Sequence, residues 1–93
     1  MRKRSKRRLG FQFNEMYFKP RGIPLRELNE VGITDEELET LRLRFLEKID
    51  QEEAAKQMGI SQSQYQRDIS LVLEKITTAL VEGCAISITK TLR

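Results

Sequence analysis

From Asp35 to Ile49 the apolar positions recur at spacings of three and four, with Leu38, Leu41, Phe45 and Ile49 on one stripe and Glu39 and Arg42 on the outward side. That period predicts a core helix over 35–48. A second helix is predicted in Gln51-Glu52-Glu53-Ala54-Ala55-Lys56-Gln57-Met58, and a third after Ser61, running to Glu82. Wound at about 100° per residue, the third stretch gathers Tyr65, Ile69, Val72, Ile76, Ala79 and Leu80 on one face, with Leu73 at its edge. Ser63, Gln66, Arg67, Ser70 and Glu74 turn toward solvent, and Gln62 flanks the apolar face. Leu71 falls on the outer half, as an ordinary exposed leucine or a partner contact. At about 1.5 Å per residue this helix is about 31 Å long.

All three starts carry the same chemistry. Thr34 with Glu37, Asp50 with Glu53 and Ser61 with Gln64 each place a capping side chain three residues before Glu or Gln, the spacing at which both can satisfy backbone N–H groups of a first turn. Gly83 is placed to stop the last helix. Between the second and third helices, Ala54 and Ala55 permit close approach and Met58 and Ile60 flank the turn. Gly59 can take the left-handed conformation of a helix end, and Tyr65 anchors from below. This pattern is a helix-turn-helix, whose second helix reads DNA; a plain helical hairpin would share part of it.

The flanks are shorter. Phe11 and Phe13 alternate within 10–18, and Cys84, Ile86 and Ile88 alternate with Ala85, Ser87 and Thr89, so both segments can form strands that pair within or between chains. Lys19-Pro20-Arg21-Gly22-Ile23-Pro24 is a turn-rich linker, and Pro24, Leu25 and Leu28, closed by Gly32, suggest a short helix. The expected fold is mainly α: a helix-turn-helix domain of three or four helices with a long C-terminal recognition helix and short flanking β segments. Its zones are a disordered basic arm over 1–9, a turn-rich segment over 10–33, the helix-turn-helix over 34–83 and a tail over 84–93.

Charge sharpens the expectation. The net charge of +3 is uneven, because Arg2, Lys3, Arg4, Lys6, Arg7 and Arg8 hold six of the 17 basic residues, leaving 11 against 14 acids in the rest of the chain. Such a block repels itself and is expected to stay loose until it meets a polyanion. A chain of 93 residues buries only about 60–65% of its unfolded surface, so a second copy of the chain, forming a homodimer, would supply further stabilisation. No apolar run is long enough to span a bilayer, and no signal segment follows the basic start, which points to a cytoplasmic protein. With one cysteine and no histidine, a metal site and a His-activated nucleophile lack their usual residues, so neither a cofactor nor an enzymatic reaction is expected.

Phe18-Lys19-Pro20-Arg21-Gly22-Ile23-Pro24-Leu25, Glu37-Leu38-Glu39-Thr40-Leu41-Arg42-Leu43 and the run from Gln51 to Ser61, behind an Arg/Lys-rich start, resemble uncharacterised protein family 0251, also called domain of unknown function 134. The resemblance covers nearly the whole chain. It implies DNA binding through a helix-turn-helix similar to region 4 of bacterial sigma factors. Asp68 stands where such helices usually carry an aliphatic residue, so Ile69 is expected to seat the helix instead. Some relatives carry N-terminal cysteines or an added C-terminal domain that are not seen in this sequence.

Candidate roles follow from a recognition helix in the major groove of double-stranded DNA. Arg67 suits a bidentate contact to guanine, Gln62 and Gln66 suit adenine, and Ser63 and Ser70 complete the base-facing set. Phosphate contacts fall to Ser61 at the helix start, to Lys56, to Arg42 or Arg44 on the core helix, and to the arm residues Arg2, Lys3, Arg4, Lys6, Arg7 and Arg8. The competing expectation is a protein-interaction module that grips RNA polymerase or another regulator through Leu71 and Val81 of the long helix.

Overall fold

The computed structural model describes residues 7–91. Arg2, Lys3, Arg4 and Lys6 lie outside the described residues, as does the side chain of Leu25. The elements run β1 (Met16–Phe18), a 3-10 turn (Leu25–Glu27), β2 (Glu30–Thr34), α1 (Asp35–Leu41), a π-helical turn (Arg42–Leu46), α2 (Gln51–Met58), α3 (Gln62–Glu82) and β3 (Ala85–Thr89). The result is a mainly α domain with a small sheet on its flank.

Each predicted helix start is present. Thr34 Oγ1 accepts from the Glu37 N–H at 3.2 Å while the Glu37 carboxylate accepts from the Thr34 N–H at 2.9 Å, a reciprocal box. Asp50 accepts from the Glu53 N–H at 2.9 Å, and Ser61 from the Gln64 N–H at 3.1 Å. Gly59 ends α2 at φ 74° and Gly83 ends α3 at φ 72°, both in the left-handed region that favours glycine.

Two clusters form the core, and α3 lies over both. Under its first half Tyr65 and Ile69 pack with Leu43, Ala54, Ala55 and Met58. Under its second half Val72 packs with Ile33 and Ile88, extended by Val31, Ile76 and Ile86. Tyr65 is fully buried, and its hydroxyl donates to the Thr40 carbonyl at 2.6 Å, tying α3 to α1. Burial holds the Tyr65 hydroxyl proton, pushing its pKa up to about 12.

The two flanking segments do pair, within the chain. β1 runs antiparallel to β3, Met16 opposite Ile88 and Phe18 opposite Ile86. β3 is the central strand, because β2 joins its other edge in parallel with Val31 opposite Ile86 and Ile33 opposite Ile88. Of the segment around Phe11 and Phe13, only Met16–Phe18 is strand. The short helix expected before Gly32 is a 3-10 turn followed by β2, and Gly32 sits inside that strand. Val31 and Ile33 alternate with Glu30, Gly32 and Thr34, a period of two, and the parallel pairing with β3 draws the segment into the sheet.

The first core helix also departs from expectation. Its α geometry stops at Leu41, and a π turn carries the chain to Leu46 with the Glu47 N–H donating to the Arg42 carbonyl. A wider turn rotates the residues that follow it. Leu43 is therefore buried while Phe45 is 45% exposed, so the stripe from Leu38 to Ile49 is not continuous. Glu39, placed outward by periodicity, is buried at 2% exposure together with Asp35, Glu36 and Thr40. The reason is a chain segment that periodicity cannot see: residues 7–11 lie across α1 and cover its acidic side. On α3, Leu80 is 73% exposed rather than apolar-face core, at the rim of a cleft it shares with Phe18, Pro20 and Ala79.

Candidate nucleic-acid interface

The turn between α2 and α3 is three residues, Gly59, Ile60 and Ser61, and its shape is set by packing. Ala54 and Ala55 are buried with side chains small enough for α3 to approach, Met58 fills the space under the turn, and Tyr65 closes the far side. Ile60, the apolar side chain of the turn itself, is half-buried and packs against the same cluster. What remains outward on the first half of α3 is polar apart from Leu71.

Gln62, Ser63, Gln66, Arg67 and Ser70 are all exposed. Ser63, Gln66, Arg67 and Ser70 line one shallow groove together with Leu71 and Glu74, so the structure gathers four of the five proposed base-contacting residues. Leu71, 52% exposed, belongs to this groove and lies beside Arg67 and Ser70. The Arg67 guanidinium donates to Gln64 Oε1 at 3.0 Å and projects along the exposed side of the helix. Ser61 is exposed at the head of α3, its hydroxyl 3.4 Å from that of Ser63, and Lys56 is exposed on α2.

The phosphate candidates separate into groups. Arg42 is held away from such a role: its guanidinium forms two bonds to the buried Glu39, at 2.7 and 2.9 Å, reaches Glu47 at 3.2 Å, and lies over the Phe11 ring. The bonds to Glu39 raise its pKa further above the ordinary arginine range. Arg7 is also engaged, its Nε 3.0 Å from Asp68 and its backbone N–H directed at Glu36. Arg8 donates from its backbone to the Met58 carbonyl and from its guanidinium to the Lys56 carbonyl, both at the C-terminal end of α2, where the helix carries partial negative charge. The loose arm expected over 1–9 is thus fastened from Arg7 onward, because the buried acids of α1 and the end of α2 supply acceptors for it.

Asp68 now has a physical reason. It is half-buried, accepts from Arg7 on one oxygen and from Gln64 Nε2 at 2.7 Å on the other, and leaves the core to Ile69, which is buried as the sequence implied. Sequence reasoning missed Glu36, Glu39 and Asp68 as the seat of the basic segment. The signal was present as an excess of acids in α1 facing an excess of bases at the chain start, but their separation of 29 to 61 residues hides the pairing.

These features define a small, mainly α domain in which two helices cross at a tight turn and the second offers an exposed polar ridge. The chain belongs to the family described as "Protein of unknown function DUF134", whose profile matches residues 1–91. It is 48% identical to a UPF0251 protein of Desulforudis audaxviator over 82 residues, 88% of this chain and 54% of that protein. It is 44% identical to one of Methanosarcina mazei over 88 residues, 95% of this chain and 54% of that one. A Caldanaerobacter subterraneus relative of the same description is 49% identical over 81% of this chain and 64% of its own length. The chain spans 54% to 64% of the length of these three relatives. No solved structure matches it. Among the described residues no helix is long and apolar enough to cross a membrane.

Proposed function

We propose that the domain binds double-stranded DNA in a sequence-specific way and serves as a transcriptional regulator, with α2 and α3 as a helix-turn-helix and the first half of α3 in the major groove. The carrying observation is the ridge of Ser63, Gln66, Arg67 and Ser70, exposed on a helix whose underside is locked by Tyr65. An α-helix fills the major groove, and these side chains match base edges: a guanidinium for guanine and an amide for adenine. Leu71 adds an apolar surface suited to a thymine methyl group. Ser61 and the unpaired N–H groups at the head of α3 suit a phosphate, as does Lys56 across the turn. The reading contains no catalytic step and no cofactor.

Residues 9–93 are net acidic, so non-specific affinity falls to the basic start of the chain. Arg2, Lys3, Arg4 and Lys6 are its phosphate ligands in this reading, each steepening log K against log salt by about 0.9. A homodimer would place two such ridges about 34 Å apart on one face of the duplex and favour a palindromic site.

A random-oligonucleotide selection with the full chain at moderate salt tests the proposal. A defined motif is the expected result, and a chain lacking residues 1–6 should keep the motif while its salt dependence flattens. Enrichment that follows charge alone, with no motif, overturns it in favour of a protein-interaction module that meets RNA polymerase or another regulator. The exposed Leu80 and Val81, at 73% and 79%, are the observation favouring that second reading.

A further inference from the structure

Along the first turns of α3 the polar groups form a chain. Asp68 Oδ1 accepts from Gln64 Nε2 at 2.7 Å, and Gln64 Oε1 accepts from Arg67 Nη2 at 3.0 Å, using the i,i+4 and i,i+3 spacings that bring side chains together on a helix. The other oxygen of Asp68 accepts from Arg7 Nε at 3.0 Å. Arg7 is itself mostly buried, 18% exposed, and is fixed a second time by its backbone N–H and Nη1 against the buried Glu36 of α1. The chain thus runs from the covered side of α1 to the exposed groove of α3.

From this we infer that Arg7 is a positioning residue: pinned between Glu36 and Asp68, it holds Asp68 and Gln64 so that the Arg67 guanidinium is aimed before DNA arrives. The inference rests on the reading of α3 as the DNA-reading helix and gives Arg7 a role other than phosphate ligand. The physics is directional. A primary amide can present either its oxygen or its nitrogen to a neighbour. With Asp68 accepting from Nε2, the Gln64 oxygen is turned toward Arg67, and one guanidinium edge is occupied while the rest is left for a base. Without the Asp68 carboxylate the amide turns freely, and Arg67 samples many rotamers, so orientation must be imposed on binding. Arg7 keeps the carboxylate in place and satisfied through one charge-assisted bond from Nε, while its Nη1 faces Glu36 on the other side. The same strap is fastened again at Arg8 on the end of α2 and at Gly10, whose N–H donates to Glu39 at 2.8 Å. Arg7 therefore has little freedom to leave.

The test uses the motif selected by the full chain and the variants Arg7→Met, Gln64→Met and Arg67→Met. Arg67→Met should erase preference at one base position. Arg7→Met and Gln64→Met should weaken preference at that same position by at least about fivefold, and the double variant R7M/R67M should lose no more of it than R67M alone, the non-additivity of residues acting through one path. The salt slope should stay unchanged in Arg7→Met. A structural role alone would lower the melting temperature and leave the base preference intact. If Arg7→Met instead weakens all sequences equally and flattens the salt slope, Arg7 is a phosphate ligand and the inference fails, although the DNA reading stands. A measurement without DNA separates the two. In the free protein the Gln64 side-chain amide should give restrained NMR signals that Arg7→Met releases, whereas the exposed Gln62 amide serves as the mobile standard. If wild-type Gln64 is as mobile as Gln62, the relay does not exist, whatever the selection returns.

Discussion

The two halves of α3 share one helix and one set of backbone bonds, yet they sit on different cores and face solvent with different chemistry. The first half rests on the cluster of Leu43, Ala54, Ala55 and Met58 and turns a row of serine, glutamine and arginine outward. The second half rests on the sheet through Ile33 and Ile88 and leaves Leu73, Leu80 and Val81 exposed. Both halves bury apolar side chains underneath; outside, the first half carries the linked series Arg7, Asp68, Gln64 and Arg67, while the second is tied to the body at Lys75, which donates to Glu37 and to the Gly32 carbonyl. Polar side chains held by one another present a fixed surface for a polar partner, which the exposed Leu80 and Val81 of the second half do not offer.

Tyr65 is the strongest point at which to break the first half. Tyr65→Ala should cost about 3–5 kcal/mol of stability in urea denaturation, the range for removing a buried aromatic side chain. Hydrogen exchange should show the α2–α3 turn losing protection before the β2–β3 pairs do, because those strands belong to the other cluster. Equal loss in both places would mean that the two clusters behave as one core.

Tyr65→Phe probes the same site more gently. It removes the bond to the Thr40 carbonyl, at a cost of about 1–3 kcal/mol for a buried acceptor left without its partner. It should also remove an alkaline sensitivity. The hydroxyl pKa is raised by burial to about 12 from an unfolded value of about 10, so the folded state holds this proton more tightly. The stabilisation is complete below pH about 10 and is lost as pH rises toward about 12. Urea midpoints of the wild type should fall across that window more steeply than those of Tyr65→Phe.

The contrast in outward chemistry is sharpened by a paired substitution. Arg67→Ala should cost about 1–3 kcal/mol of binding at one base position and leave the salt slope nearly unchanged. Leu80→Ser, on the second half, should leave DNA affinity and stability within about 0.5 kcal/mol of wild type, as for surface positions generally. A large binding loss in Leu80→Ser would move the interface to the rear half and toward a protein partner.

How much of this could be read from the chain alone follows the same division. The caps at Thr34, Asp50 and Ser61, the stops at Gly59 and Gly83 and the underside from Tyr65 to Val72 depend on residues within a few positions of each other, and all were legible. The outward exposure of Gln66, Arg67 and Ser70 was legible for the same reason. The inward turn of Glu39 and Glu36 was not. Amphipathic period places an acid outward unless something covers it, and the cover is supplied by Arg7 and Gly10, about 30 residues earlier. Strand β2 was hidden differently: its five residues bracket a glycine that also fits a helix stop, and only the parallel partner β3 decides between them.

The smallest effect expected separates the two ends of the helix pair most finely. Gly59 and Gly83 both end helices at nearly the same positive φ, 74° and 72°, so replacing either with alanine should cost about 1–2 kcal/mol from backbone conformation alone. Their surroundings differ. A Cβ on Gly83 meets nothing within 4 Å, whereas one on Gly59 comes within 3.1 Å of the Arg8 guanidinium. That guanidinium is the end of a long side chain and can retreat by the small distance needed, but doing so strains its bond to the Lys56 carbonyl. Gly59→Ala should therefore exceed Gly83→Ala by about 0.5–1.5 kcal/mol, the net worth of one such bond. In an Arg8→Ala background the two substitutions should cost the same. If they already cost the same in the wild type, Arg8 does not hold the start of the chain against α2, and the fastened strap that distinguishes the first half of α3 from the second loses one of its attachments.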